Sequence, residues 1–226
     1  MSYSNGPTIV TNGLVLVLDA GDRNSYVSGS TTWRDLAGIY NGTLNNGPTF
    51  DTGSLGSIVL DGTNDSITCN TNSITSNALT FTIIINRYNN GTQGTGLVFN
   101  RGGGGSTTGM NLLYPTPTGI GYHWNDDPNT YLYDPGIPIP LNTWCFCCVS
   151  VNPTQSIFQV NNNVVVRSYT NVTANTTVGT NLMIGTDYTI GRYVNAKIAY
   201  ASMYNRALSQ AEIKQNFNAL KGRFGL

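Results

Sequence analysis

The sequence predicts an all-β fold, a sandwich of antiparallel sheets closed by one short C-terminal helix. Three observations lead there. First, about a dozen short stretches rich in β-branched and aromatic residues are separated by turn signals. Second, no strand-helix-strand alternation runs through the chain, which argues against a parallel sheet. Third, one helix signal stands at the C-terminus. Asn195–Tyr204 (NAKIAYASMY) reads as a buried strand, and Ser209-Gln210-Ala211-Glu212 has the form of a capping box. Leu208 and Ile213 occupy the positions of a hydrophobic staple, and Ile213, Phe217 and Leu220 follow as a single apolar stripe. Lys221 and Arg223 suit the negative end of the helix dipole, with Gly222 placed to break the helix. A helix this short is marginal alone, so its stripe must cover a sheet.

Taken in order, Leu14–Asp19 is an apolar run expected to be a strand buried on both faces. Trp33-Arg34-Asp35-Leu36 reads as a short turn with a buried indole, and Asn41-Gly42 and Asn46-Gly47-Pro48 as tight turns. Ser57–Asp61 and Ser66–Asn70 are expected strands joined by Asp61-Gly62-Thr63-Asn64-Asp65, whose residues tolerate positive φ. Residues 79–86 (LTFTIIIN) form a core strand and Gly96–Asn100 a shorter one. Between 101 and 142 the character changes. Residues 102–105 are a glycine tract read as flexible, and Pro115, Pro117, Pro128, Pro135, Pro138 and Pro140 argue against long central strands, yet Tyr114, Tyr122, Trp124, Tyr131 and Tyr133 crowd the same region. Regularity returns with an apolar strand over 143–151, a hairpin of 157–160 with 164–167 around Asn161-Asn162-Asn163, and a strand at 182–185.

At 226 residues the chain suits one large β domain, 1–226, with 1–12 as an N-terminal arm. Only 10% of the residues are charged, so the surface must be built from Thr, Ser and Asn. Eleven basic and eleven acidic residues cancel, and no Lys/Arg cluster offers the footprint that phosphate binding needs, which makes nucleic acid a poor partner. The first residues have neither a basic region nor an apolar core, so no signal peptide is expected, and no apolar run is long enough for membrane insertion. Cys145 and Cys147 should share one strand face and Cys148 the other, which suits buried reduced thiols rather than disulfides; Cys69 reads likewise.

The segment IGRYVNAKIAYASMYNRALSQAEIKQNFNALKGRFGL resembles the terminal part of laminin-G-like domains of the concanavalin A-like lectin/glucanase superfamily, particularly those of bacteriophage virion structural proteins. GLVLVLDAGDRNSY, TTWRDLAGIYNGTLNNGPTF and GSIVLDGTNDSIT resemble the family's opening blocks, in the same order. This resemblance implies a jelly roll of two curved sheets. It also implies a virion surface protein made in a host cytoplasm, such as a capsid decoration, knob or tail-tip adhesion module. Such a protein would be present in several copies per particle and bind other virion proteins or host-surface polysaccharide. A free carbohydrate-binding lectin is the alternative. The sequence departs from the family's pattern at Ser66, within IIIN, at Ala196 and at Ala199-Tyr200, so no ligand site is carried over.

A glycoside hydrolase of this fold would need paired carboxylates on an active strand. The one Glu is Glu212, in the helix cap, so no catalytic residue is expected and the protein reads as a non-enzyme. Asp126 and Asp127 suit a turn, and His123 has no nucleophile context. Asp61 and Asp65 raise a calcium question, but a turn-forming role is preferred and no cofactor is expected. For ligand binding the candidates are Tyr122, Trp124, Tyr131 and Tyr133, whose rings could serve a sugar or a protein; the competing reading is that they fill the core.

Overall fold

The computed structural model describes residues 7–38, 40–71, 74–100, 107–169, 176–178, 181–187 and 191–226; the N-terminal stretch 1–6 and the glycine tract 102–105 lie outside the described residues. Two antiparallel sheets face each other. The first runs β14 (Asn163–Ser168), β13 (Gln155–Val160), β12 (Trp144–Asn152), β8 (Leu79–Arg87), β17 (Asn195–Tyr204), β5 (Ser57–Asp61), β4 (Thr49–Asp51). The second runs β11 (Ile120–His123), β10 (Thr108–Leu112), β9 (Gly96–Asn100), β16 (Asn181–Ile184), β6 (Ser66–Asn70), β3 (Gly42–Asn45), β2 (Thr32–Trp33). A small ladder pairs β7 (Ile74–Ser76) with β15 (Thr176–Val178).

Strand β17 is the longest and organises the first sheet. Its first half pairs with β5 and its second half with β1 (Leu14–Asp19), so β1 and β5 lie end to end along one edge of it. The register slips at Ala199, whose carbonyl accepts from the N–H of Ala20 as β1 ends. Phe81, Ile83 and Ile85 of β8, with Cys145 and Cys147 of β12, point into the core between the sheets; Ile84, Phe146 and Cys148 point the other way into a second apolar layer. The central strands β8, β12 and β17 are therefore buried on both faces, which is why they read as continuous apolar runs. All four cysteines are buried and free, and burial pushes the Cys69 and Cys148 thiols up to about 12.

Helix α2 (Gln210–Leu220) forms that second layer. Ser209 Oγ accepts from the N–H of Glu212 while Glu212 Oε2 accepts from the N–H of Ser209 at 2.8 Å, completing the capping box. Leu208, Ile213 and Phe217 are all buried, with the Phe217 ring edge-on to Phe146 at 5.3 Å. Gly222, placed by the sequence to break the helix, follows its last residue Leu220 but takes no left-handed conformation. A 3₁₀ turn over Lys221–Arg223 tightens the chain instead, and Arg223 reaches back to the carbonyls of Ser54 and Gly56 and the carboxylate of Asp19. Residues 7–12 of the N-terminal arm are strapped over α2. The Val10 N–H donates to Asn216 Oδ1 at 2.8 Å, and its carbonyl accepts from the Tyr204 hydroxyl.

In the second sheet β9, β10 and β11 are buried on both faces, whereas β3, β6 and β16 cover the core with one face. Leu44, Ile67, Cys69, Leu182 and Ile184 point inward, and the intervening residues Thr43, Asn45, Ser66, Thr68, Asn70, Asn181 and Met183 line the outer face. This period-two alternation leaves a polar face, on which the candidate site lies.

Candidate functional site

Strand register arranges the outer-face residues in rows. Thr43 of β3 stands opposite Thr68 of β6, which stands opposite Met183 of β16. On either side of that row lie the pairs Asn45 with Ser66 and Asn70 with Asn181. Neighbouring strands lie about 4.8 Å apart and same-face residues about 6.8 Å apart along a strand, so the result is a regular lattice of amides and hydroxyls. Together with Asn41, Asn46 and Tyr193 these side chains line an open groove of about 590 Å³. None of the described residues lining it carries a charge. Asn45 Nδ2 donates to the Thr43 carbonyl at 3.1 Å and to Thr68 Oγ1 at 3.0 Å, so its amide protons are used and Oδ1 is the atom it presents. Asn46, at φ 67°, is fixed by donation from Nδ2 to the Asn64 carbonyl at 2.7 Å. Chemically, the groove offers alternating donors and acceptors beside one half-buried aromatic ring, Tyr193.

The four aromatic residues singled out from the sequence are not brought together in this groove. Tyr122, 1% exposed, and Trp124, 0% exposed, belong to the core between the sheets, and Tyr122 meets Phe158 edge-on at 5.1 Å. Neither has a ring face for a ligand. Tyr131 is half-buried on α1 (Pro128–Tyr131) and stacks on His123 at 4.8 Å, while Tyr114 meets it edge-on at 6.2 Å. Tyr133 is half-buried against Phe158, with the Arg167 guanidinium 4.0 Å above its ring. Arg167 also donates to the Tyr122 hydroxyl and the Asn129 carbonyl, so these rings hold the 122–133 region to β14.

The carboxylates serve the backbone. Asp61 Oδ1 accepts from the N–H groups of Thr63 and Asn64, and Asp65 Oδ2 accepts from the N–H of Asp61 at 3.1 Å, which closes the turn between the sheets. The Thr63 N–H holds the Asp61 carboxyl below its usual range, whereas burial raises that of Asp65. Asp127 caps α1 by accepting from the N–H of Asn129, and Asp126 sits at φ 59° in the preceding turn. His123, 8% exposed, has Nδ1 3.4 Å from Asn111 Nδ2. Glu212 is paired with Arg206 at 2.6 Å. Two smaller hollows, about 400 and 360 Å³, flank the Tyr26–Phe50 ring pair at the sandwich edge; the first is lined largely by apolar side chains and lacks the amide lattice.

Sequence reasoning missed the groove. Its signal was the alternation of Thr, Ser or Asn with apolar residues in GTLN, SITCN and NLMI, which marks three half-exposed strands but not their adjacency.

No curated protein sequence matches the chain. Among solved structures, domain 4 of AbnA, a GH43 extracellular arabinanase from Geobacillus stearothermophilus in complex with arabinotriose, is similar with a TM-score of 0.68 at 15% identity, covering 91% of this chain and 98% of that one. Trypanosoma rangeli sialidase in complex with sialic acid gives 0.65 at 14% identity, over 97% of this chain and 36% of the sialidase. The ligand binding domain of botulinum neurotoxin serotype D in complex with N-acetylneuraminic acid gives 0.61 at 13% identity, over 92% of this chain and 51% of that chain. The chain thus spans about a third of the sialidase's length, and at these identities the likeness is one of fold. A family model matches residues 61–214, from the inter-sheet turn into α2: the chain belongs to the laminin-G-like (Laminin_G_3) family of the concanavalin A-like lectin/glucanase superfamily.

Proposed function

We propose that the protein is a non-enzymatic carbohydrate-binding module that holds glycans in the groove on the outer face of the second sheet. The observation that carries this reading is the uncharged lattice of Asn, Thr and Ser beside Tyr193 and Met183. Sugar hydroxyls donate and accept at once, and so do amides and hydroxyls, while an aromatic ring packs on the apolar face of a pyranose. Glycan-bound neighbours of the same fold support it by analogy. The non-enzymatic part rests on Glu212 being committed to Arg206 and the helix cap, and on the described groove lining offering no carboxyl pair for acid and base roles.

The resemblance of the C-terminal segment to bacteriophage virion proteins further supports placement on a virion surface, in several copies, with other virion proteins as partners and host polysaccharide as the glycan. Glycan-array binding by the purified protein tests the first part. Thr43→Trp, at an exposed outer-face position, is expected to abolish the signal at an unchanged melting temperature; retained binding would remove the groove from the proposal. Mass spectrometry of purified particles from the source tests the second.

A further inference from the structure

Resting on the reading of the groove as a glycan site, we infer that it selects an uncharged glycan and rejects sialylated or otherwise anionic ones, unlike the sialic acid seen with two of the structural neighbours. Three observations converge. The described lining residues are neutral, so none of them supplies a counter-charge to a carboxylate. Arg192, next to Tyr193, directs its NH1 to Oδ2 of the fully buried Asp187 at 3.2 Å, so an anionic ligand would have to compete with this ion pair for the guanidinium. Finally, two acidic residues neighbour lining residues, Asp65 along the chain and Asp35 through a backbone hydrogen bond. Asp65 precedes Ser66 and is 5% exposed, and the Asp35 N–H donates to Asn41 Oδ1 while the Asp35 carboxylate accepts from the N–H groups of Val17, Ala37 and Tyr40.

Hydrogen-bond polarity agrees with the charge argument. With both amide protons of Asn45 used within the sheet, this residue presents an acceptor to the ligand, and an acceptor needs a hydroxyl donor opposite it. A carboxylate is acceptor-only, so placed there it would meet Oδ1 without a shared proton and repel it. A sugar hydroxyl donates to Asn45 and still accepts from Thr68 or Ser66 on the neighbouring strand.

The experiment uses the full chain on an array carrying the same oligosaccharide cores in neutral and sialylated form, for example lactose and 3′-sialyllactose, with titrations of those that bind. The expected result is that neutral cores bind, that adding sialic acid weakens binding about tenfold or more, and that affinity for neutral cores is flat as salt rises. Tighter binding of sialylated cores, falling with salt and lost in Thr43→Trp, would overturn the selectivity while leaving the site in place. Binding of either form that persists in Thr43→Trp, or no binding to any glycan, would overturn the site itself.

Discussion

Arg87 shows how much a single side chain organises. It lies fully buried at the end of β8, and its guanidinium donates to the carbonyls of Asn90, Pro117, Thr118 and Ile139, the last at 2.5 Å. Burial lowers its pKa from the ordinary arginine value, and the carbonyls supply the partial negative charge that keeps it ionised. The loops before and after β11 are thus fixed from inside. Arg87→Met removes these donors and leaves buried acceptors, so it is expected to cost about 2–4 kcal/mol in denaturant melts, and Arg87→Lys, lacking the fork, should recover only part. Nothing in the sequence marks this arginine, because the carbonyls of Pro117, Thr118 and Ile139 that it binds are 30, 31 and 52 residues away along the chain. Glu212, by contrast, was legible from its spacing to Ser209. The Arg206 guanidinium, with help from Ser209, holds its carboxyl down at about 2. A carboxyl depressed on folding contributes stability that is fully present above its unfolded value, near 4.5, and is lost as pH falls toward 2. Melting temperature is therefore expected to drop across that window, with a shallower drop in Glu212→Gln; an identical profile in the variant would contradict the pairing.

Elements were legible where local chemistry and tertiary context agree. β1, β5, β6, β9 and β17 have the bounds their apolar runs and turn residues suggest, and the staple and capping box place α2. β10 and β11 were not visible. Gly109 and Gly121 weaken their strand signal, yet glycine is needed there for packing: a Cβ at Gly109 would lie 2.5 Å from the Val98 carbonyl oxygen, and one at Gly121 would lie 3.0 Å from Leu113 Cα. Close backbone approach across a sheet leaves no mark in a single-residue pattern. The same strands carry Tyr122 inward and lead to the buried Trp124, which decides the role of both rings. Trp124→Ala is expected to cost about 3–5 kcal/mol by opening a core cavity, as is Phe217→Ala in the layer beneath α2. Tyr193→Ala, on the groove, should instead melt near the wild type and lose glycan binding. An early melt of Tyr193→Ala with binding intact would reverse that assignment.

At the scale of the molecule the groove belongs to no local motif. It is assembled from residues at 41–46, 66–70, 181–183 and 193, which only the sheet order brings together, whereas the aromatic cluster of 101–142 is local and drew attention in the sequence. The segment that makes this order possible is the arch from β5 in the first sheet to β6 in the second, residues 61–65. Gly62 takes φ 78° there, with the space of its missing Cβ occupied by Asn195, and the two aspartates clamp the arch through backbone N–H groups. A calcium site would need about six to eight oxygens converging on one point. Here Asp61 Oδ1 faces the N–H groups of Thr63 and Asn64, and Asp65 Oδ2 faces the N–H of Asp61, so one oxygen of each carboxylate is already committed to backbone donors. Chelation is therefore expected to leave the melting temperature unchanged to within about 1 °C, because a ligand that does not bind the native state cannot stabilise it. Asp65→Asn should lower the melting temperature modestly, through a weaker clamp, equally with and without EDTA. A large fall in EDTA that calcium restores, and that Asp65→Asn abolishes, would show the arch to be a metal site.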